Sequence, residues 1–387
     1  MYVDTRSSVR RGFSCARNAA DAADQLFEAI YHPDAALAVF FSSTDYDLHV
    51  LEQELNARFT GVPLIGCTSA GEITPVGYVS GGIVGFSLAR PDFVSVSTPI
   101  RSLRNFSLAD GRDIVRDLLK RLDDTSDGPP TGNTFAFLMI DGLSKCEEMV
   151  LSAITSALGG IPVFGGSAGG GLTFQRSYVF GAGRFQSDAA VLVLVRTRLP
   201  FKLFTNDHFT SSATKMVVTE ADPASRIVSE INAEPAGREY ARLVGLDVDE
   251  LSPLIFATHP VVVKVGGRTY TRAIQKVNED ESLTFFCAID KGIVLTVANG
   301  TDLLESTRRL FERIYSEIGL PQLVIGCECI LRALELEEKR LKEAVGRLFM
   351  RNNVIGFSTF GEQYHAMHVN HTFTGAAIGF GAGLGHV

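Results

Sequence analysis

Gly165-Gly166-Ser167-Ala168-Gly169 fits G-x-S-x-G, the turn on which serine hydrolases present their nucleophile. Such an elbow needs a helix directly after the serine, yet Gly169, Gly170 and Gly171 follow. Glycine costs about 1 kcal/mol per position in a helix interior, so three together oppose the elbow. A triad also needs an acid and a base, which Asp188 with His208 or His259 supplies only formally. Among eight histidines that coincidence is cheap, and hydrolysis at Ser167 is the weakest reading of the motif. Phosphate chemistry is weaker still, since no G-x-x-x-x-G-K-[ST] occurs and no glycine cluster keeps G-x-G-x-x-G spacing before a helix.

Two groups of histidines invite a metal. His365, His368 and His371 are three residues apart, which spreads them around a helix or alternates them on a strand. Neither arrangement closes a zinc site without a loop break. His259 differs, because it stands between the apolar runs Leu254–Ala257 and Val261–Val265, both read as strands. Pro260 biases it toward extended backbone. An imidazole held beside an apolar surface suits an axial haem ligand.

The elements that must carry these residues follow a repeated step. An apolar run enters a glycine turn with small hydroxyl residues, and an apolar strand returns later. The copies are Pro63–Glu72 returning at Gly82–Phe86, Pro162–Gly171 returning at Ala189–Val193, and Asn353–Glu362 returning at Gly375–Phe380. In the first half the order helix, strand, helix, glycine step, strand is seen twice. This predicts an α/β fold of two layered domains with internally duplicated strand–glycine-turn–strand units. The expected division is an arm and helix over 1–29, one domain over 30–230 and a second over 231–387. At the boundary Pro223 opens a helical stretch through Ile227 and Ile231, and within the second domain Arg332 to Met350 reads as one long helix with a charged outer face.

Composition narrows the setting. At 387 residues the chain can bury a large core, and 45% hydrophobic with 21% charged residues is ordinary for a globular protein. A net charge of −8 offers no basic footprint for nucleic acid. No run of about eighteen apolar residues exists to enter a membrane, and six scattered cysteines read as reduced thiols of a cytoplasmic protein.

Taken together, Ile65–Glu72, Val163–Gly169, Leu283–Gly292, Ile355–Gln363 and His368-Val369-Asn370 followed by Thr372–Gly375 resemble the FIST family of bacterial sensory proteins, in both its amino- and carboxy-terminal parts. The resemblance implies a non-enzymatic sensor that binds a small ligand and signals through a partner protein. Stand-alone members of this length include haem proteins that sense nitric oxide and act with histidine kinases or cyclic-di-GMP enzymes. On this sequence the resemblance leads to haem b on His259, with His368 as second choice. Phe256, Val261 and Val263 would be walls, and Arg268, Arg272 or Lys264 would meet the propionates. The alternative is a haem-free sensor of an amino acid or similar metabolite, using the hydroxyls of Ser69, Ser167 and Thr359. A homodimer is left open.

Overall fold

The computed structural model describes residues 8–125, 133–172, 174–265 and 267–381. Its architecture is α/β with mixed sheets, and the glycine steps are the key to it. Each belongs to a unit of the same build. An outer strand and a helix lead to an inner strand, a second helical segment, a parallel strand, a short hairpin and an antiparallel return strand.

In the first unit the parallel pair is Ala35–Ser43 with Leu64–Ser69, and the return strand is Ile83–Ala89. In the second it is Thr134–Asp141 with Val163–Ala168, returning at Ala189–Thr197. In the third it is Leu323–Cys329 with Val354–Thr359, returning at Phe373–Ile378. The outer strands are Val9–Ser14, Phe93–Arg101 and Phe201–Asn206.

The hairpins are exchanged in a circle. Glu72–Thr74 of the first unit pairs with Val354–Thr359 of the third. Val179–Gly181 of the second pairs with the first, and Glu362–Tyr364 of the third pairs with the second. Each sheet therefore has six strands, the last two borrowed from another unit. The glycine steps meet at the centre of this ring. Ala70 donates to the Ser358 carbonyl, Phe360 to that of Ser167, and Gly169 to that of Thr68, at 3.0, 3.1 and 3.0 Å. One apolar core joins all three units there, with Phe41 stacked on Phe357 at 4.2 Å and Phe137 on Phe164 at 4.7 Å.

Close approach of backbones explains the glycines that lead into the steps. A Cβ on Gly165 would lie 1.9 Å from the Leu138 carbonyl oxygen, and one on Gly356 would lie 1.9 Å from that of Gly326. Gly165→Ala should therefore cost more than the ~1–3 kcal/mol of ordinary overpacking. The expected outcome is loss of the cooperative unfolding transition in urea.

Residues 209–300 are inserted between the outer strand and the helix of the third unit, Leu303–Ile318. They form an eight-stranded sheet built on the long strand Phe209–Asp222. Residues 323–378 thus complete the ring begun by the first 206, and the insertion packs beside it.

Several expected elements change here. Leu254–Ala257 is not a strand but part of the helix Pro253–Thr258, capped by the Ser252 side chain with proline in its first turn. Ile227–Ile231 is a strand, not a helix. The charged helix is two, Ile330–Glu338 and Lys342–Arg351, broken where Arg340 takes a φ of 54°.

Candidate functional site

The ring repeats one niche three times, where a unit's hairpin lies over the next unit's sheet and helix. Directly opposed hairpin residues face this niche. They are Ile73 with Tyr78 in the first unit, Phe180 with Phe185 in the second, and Gln363 with His368 in the third. Two niches are closed by apolar and aromatic side chains, as packing favours. The third carries an amide and an imidazole at the same positions, so the fold itself does not require polarity there.

This polar niche lies against the helix Glu147–Ala157. Gln363 Nε2 donates to Ser167 Oγ at 2.9 Å and points toward His368 Nδ1 at 3.4 Å. Asn370 joins them just beyond the hairpin, in the place that exposed Ser80 and Ser187 take in the other units. Gly361 supplies the room, since a Cβ there would come within 2.8 Å of His368 Nε2 and 2.9 Å of Asn370 Nδ2. Gln363 Oε1, His368 Nε2 and both amide atoms of Asn370 are buried and have no partner among the described residues. Each such atom costs about 1–3 kcal/mol when unsatisfied, so the set is a candidate for contact with a ligand or ordered water.

Charged groups surround the niche. Arg226 is 4% exposed and reaches from the insertion to Glu147 Oε2 and Glu148 Oε2, both at 2.6 Å, and to the Phe286 carbonyl at 2.5 Å. Arg272 reaches the His368 carbonyl at 3.4 Å. Burial holds the His368 imidazole below its ordinary pKa, against the pull of Glu148 and Glu147, so the ring is neutral at neutral pH. Burial pushes Glu148 up, but His368 and Arg226 outweigh it and the carboxyl lies below its usual range. A cleft of about 320 Å³ opens at the seam between ring and insertion, lined by Phe174, Phe286, Lys145 and Arg226 among others.

Comparison with known families gives the lineage. Residues 36–234 match the FIST N domain and residues 236–365 the FIST C domain. The chain belongs to the FIST family. FIST domains are sensor domains of signal transduction. The chain is also 22% identical over 386 residues to an uncharacterized protein, MJ1623, of Methanocaldococcus jannaschii, covering 88% of this chain and 73% of that protein.

Within this FIST fold the residues expected to hold a haem sit elsewhere than the polar niche. His259 caps the helix Pro253–Thr258, is half-buried, and has its Nδ1 3.0 Å from Thr258 Oγ1. Phe256, Val261 and Val263 are filled into the core of the insertion with Met216, Tyr240 and Leu295. These side chains do not wall a haem slot, and the residues present do not fit the group on His259. The side chain of Arg268 lies outside the described residues. Arg272 and His368, by contrast, are brought together at the niche.

The remaining candidates separate. His365 lies exposed on the hairpin turn, His368 enters the niche, and His371 faces the Phe209 ring at 5.4 Å beside His208 and Glu335. No cluster of three or more metal-ligating side chains occurs among the described residues. Ser167 lies on a strand and bonds to Gln363, while His208 bonds Glu335 at 2.9 Å, so the hydrolase triad is not assembled.

Ser69 and Thr359 are equivalent by register, but the second unit places Ala168 there, not Ser167. Ser69 and Thr359 are taken up by buried carboxyls, Glu72 and Glu362. Gln363 and Asn370 escaped the site reading although both lie in stretches that carry the family resemblance. The available signal was the polarity of Gln363 where the first step has Ile73.

Proposed function

We propose that this FIST protein senses a small polar metabolite, neutral or zwitterionic, whose head group is held by Gln363, His368 and Asn370. The observation that carries this reading is the set of buried polar atoms without partners among the described residues, where the related niches place Ile73 and Phe180 for Gln363 and exposed serines for Asn370. The surrounding formal charges support a ligand without excess charge, because Glu147 and Glu148 are matched by Arg226 and Arg272. An amino acid, with one group of each sign, meets these conditions.

The test is a thermal-shift screen with free amino acids and related small metabolites. A ligand at a hundred times its Kd adds about 2.7 kcal/mol of stability and raises Tm. The rise should vanish in Asn370→Leu. A panel that leaves wild-type Tm unchanged counts against the reading.

Haem b responsive to nitric oxide is the second reading, favoured by the buried His368 Nε2 that no described protein group engages. It predicts a Soret band on adding haem that His368→Ala removes and His259→Ala keeps. In either case the output passes to a partner, with a histidine kinase or a cyclic-di-GMP enzyme as the proposed class.

A further inference from the structure

We propose that the inserted sheet is a latch over the polar niche, pivoting on its apolar contact with the third unit and held shut by Arg226 against the second. The proposal rests on reading that niche as the ligand site. Its starting point is access. Tyr78 and Phe185, at the positions equivalent to His368, are half-buried, whereas His368 is 3% exposed. The insertion packs over this niche, through Arg226 on Glu147 and Glu148 and Arg272 on the His368 carbonyl. A ligand can reach His368 only if this cover moves.

The two sides of the cover differ in chemistry. Toward the third unit, Ala257, Ala273 and Phe286 pack with Ile330, Leu331 and Phe360 in one apolar cluster. Such a contact has no directional bonds to break and tolerates a small rotation. Toward the second unit an aromatic contact, Phe174 on Phe286 at 5.3 Å, stands beside a small set of directional polar contacts. Besides the Arg226 fork, Lys145 Nζ donates to the Ser225 carbonyl at 3.1 Å and the Ala288 amide to Glu148 Oε1 at 3.0 Å. The cleft of about 320 Å³ lies along this polar side.

Both sides of the catch are also conformationally loaded. Arg226 has a φ of 59° and Lys145 a φ of 60°, a left-handed backbone that long side chains seldom adopt. Backbone of this kind persists where surrounding contacts hold it, and it clusters at switch regions. Arg226 holds the turn after Phe209–Asp222, and Lys145 stands just before Cys146, the N-cap of the helix that floors the niche. Release of the Arg226 guanidinium would leave Lys145 on Ser225 and the Ala288 amide on Glu148 as the polar bonds of this side.

Cys287 reports the opening without any ligand. It is 2% exposed, belongs to the insertion, and lies within electrostatic reach of Arg272, Glu148 and Arg226. Cys67 and Cys327 are buried in the ring core and serve as internal controls, whereas Cys329 belongs to the pivot cluster. Labelling of the full-length chain with N-ethylmaleimide, read peptide by peptide in a mass spectrometer, should be about tenfold faster at Cys287 in Arg226→Gln and in Glu147→Gln. That ratio corresponds to weakening the catch by about 1.4 kcal/mol.

Cys67 and Cys327 should stay protected in both variants. Should Arg226→Gln not fold, Lys145→Asn, which cuts only the outer bond, must still accelerate Cys287. An unchanged Cys287 rate overturns the latch, and so does parallel acceleration of Cys287, Cys67 and Cys327, because the pair would then merely hold the fold together. Since no ligand is added, a failed metabolite screen leaves this result intact, and an inert Cys287 leaves the niche reading intact.

Discussion

Glu362→Gln should abolish much of the loss of stability expected of the wild-type protein as pH rises from 5 to 9. Glu362 is fully buried at the closing hairpin, and burial pushes its carboxyl up to about 8 despite hydrogen bonds from Thr359 and Thr372. Glu72 repeats the arrangement in the first unit with Ser69 and the Gly82 amide, and stands at about 7.

An acid whose folded pKa is raised binds more protons folded than unfolded between the two values. Its contribution is fully present below the unfolded pKa near 4.5 and is lost as pH rises through the folded value, here about 7 for Glu72 and about 8 for Glu362. For Glu362 the loss is on the order of a few kcal/mol. Glutamine keeps an acceptor for the Thr372 amide and hydroxyl and offers a donor to Thr359.

The variant should therefore gain on wild type progressively between pH 5 and 9, measured by urea unfolding at several pH values. An identical pH profile in both proteins would show that Glu362 is ionised in the folded state. His371 acts on the other flank. Its imidazole is pushed down to about 3 by burial, so its contribution fades as pH falls below the ordinary value.

How far the sequence speaks for the structure varies with the residues concerned. The glycine steps were legible because strand, turn and return strand are contiguous, and each step lies within one unit. Their mutual bonding was not, since Ser167 to Gly361 and Ala70 to Ser358 join residues hundreds of positions apart. The second step was also read one residue out of register. Its loop before Val179 is longer than in the other units, and a serine beside the equivalent position draws the eye.

Short apolar runs misled in a physical way. Leu254–Ala257 has the composition of a buried strand, but Ser252 and Pro253 are a helix start and local capping prevailed. Phe209–Asp222 was missed because one of its faces is exposed and polar for most of its length. The site itself depends on a hairpin borrowed by another unit's sheet, a pairing that no local pattern encodes.

That borrowed hairpin also yields the sharpest test of the site. Restoring apolar character at the third niche, by Gln363→Met with Asn370→Leu, should make the protein more stable while removing its response to ligand. Phe180 with Phe185 shows that the same backbone accepts an apolar pair, and Ile73 stands at the position of Gln363 in the first unit. Methionine and leucine roughly conserve the volumes replaced, which limits overpacking in front of Gly361.

Three of the four atoms without protein partners in the niche belong to Gln363 and Asn370. Removing them relieves about 1–3 kcal/mol each, offset in part by the lost bond from Gln363 to Ser167 Oγ. A net gain of about 2 kcal/mol in the unliganded protein is expected from urea unfolding. A structural role for the pair predicts the opposite sign, a loss of similar size. Polar residues that cost stability where the repeated architecture offers an apolar solution are retained for what they bind, and this sign separates the two accounts.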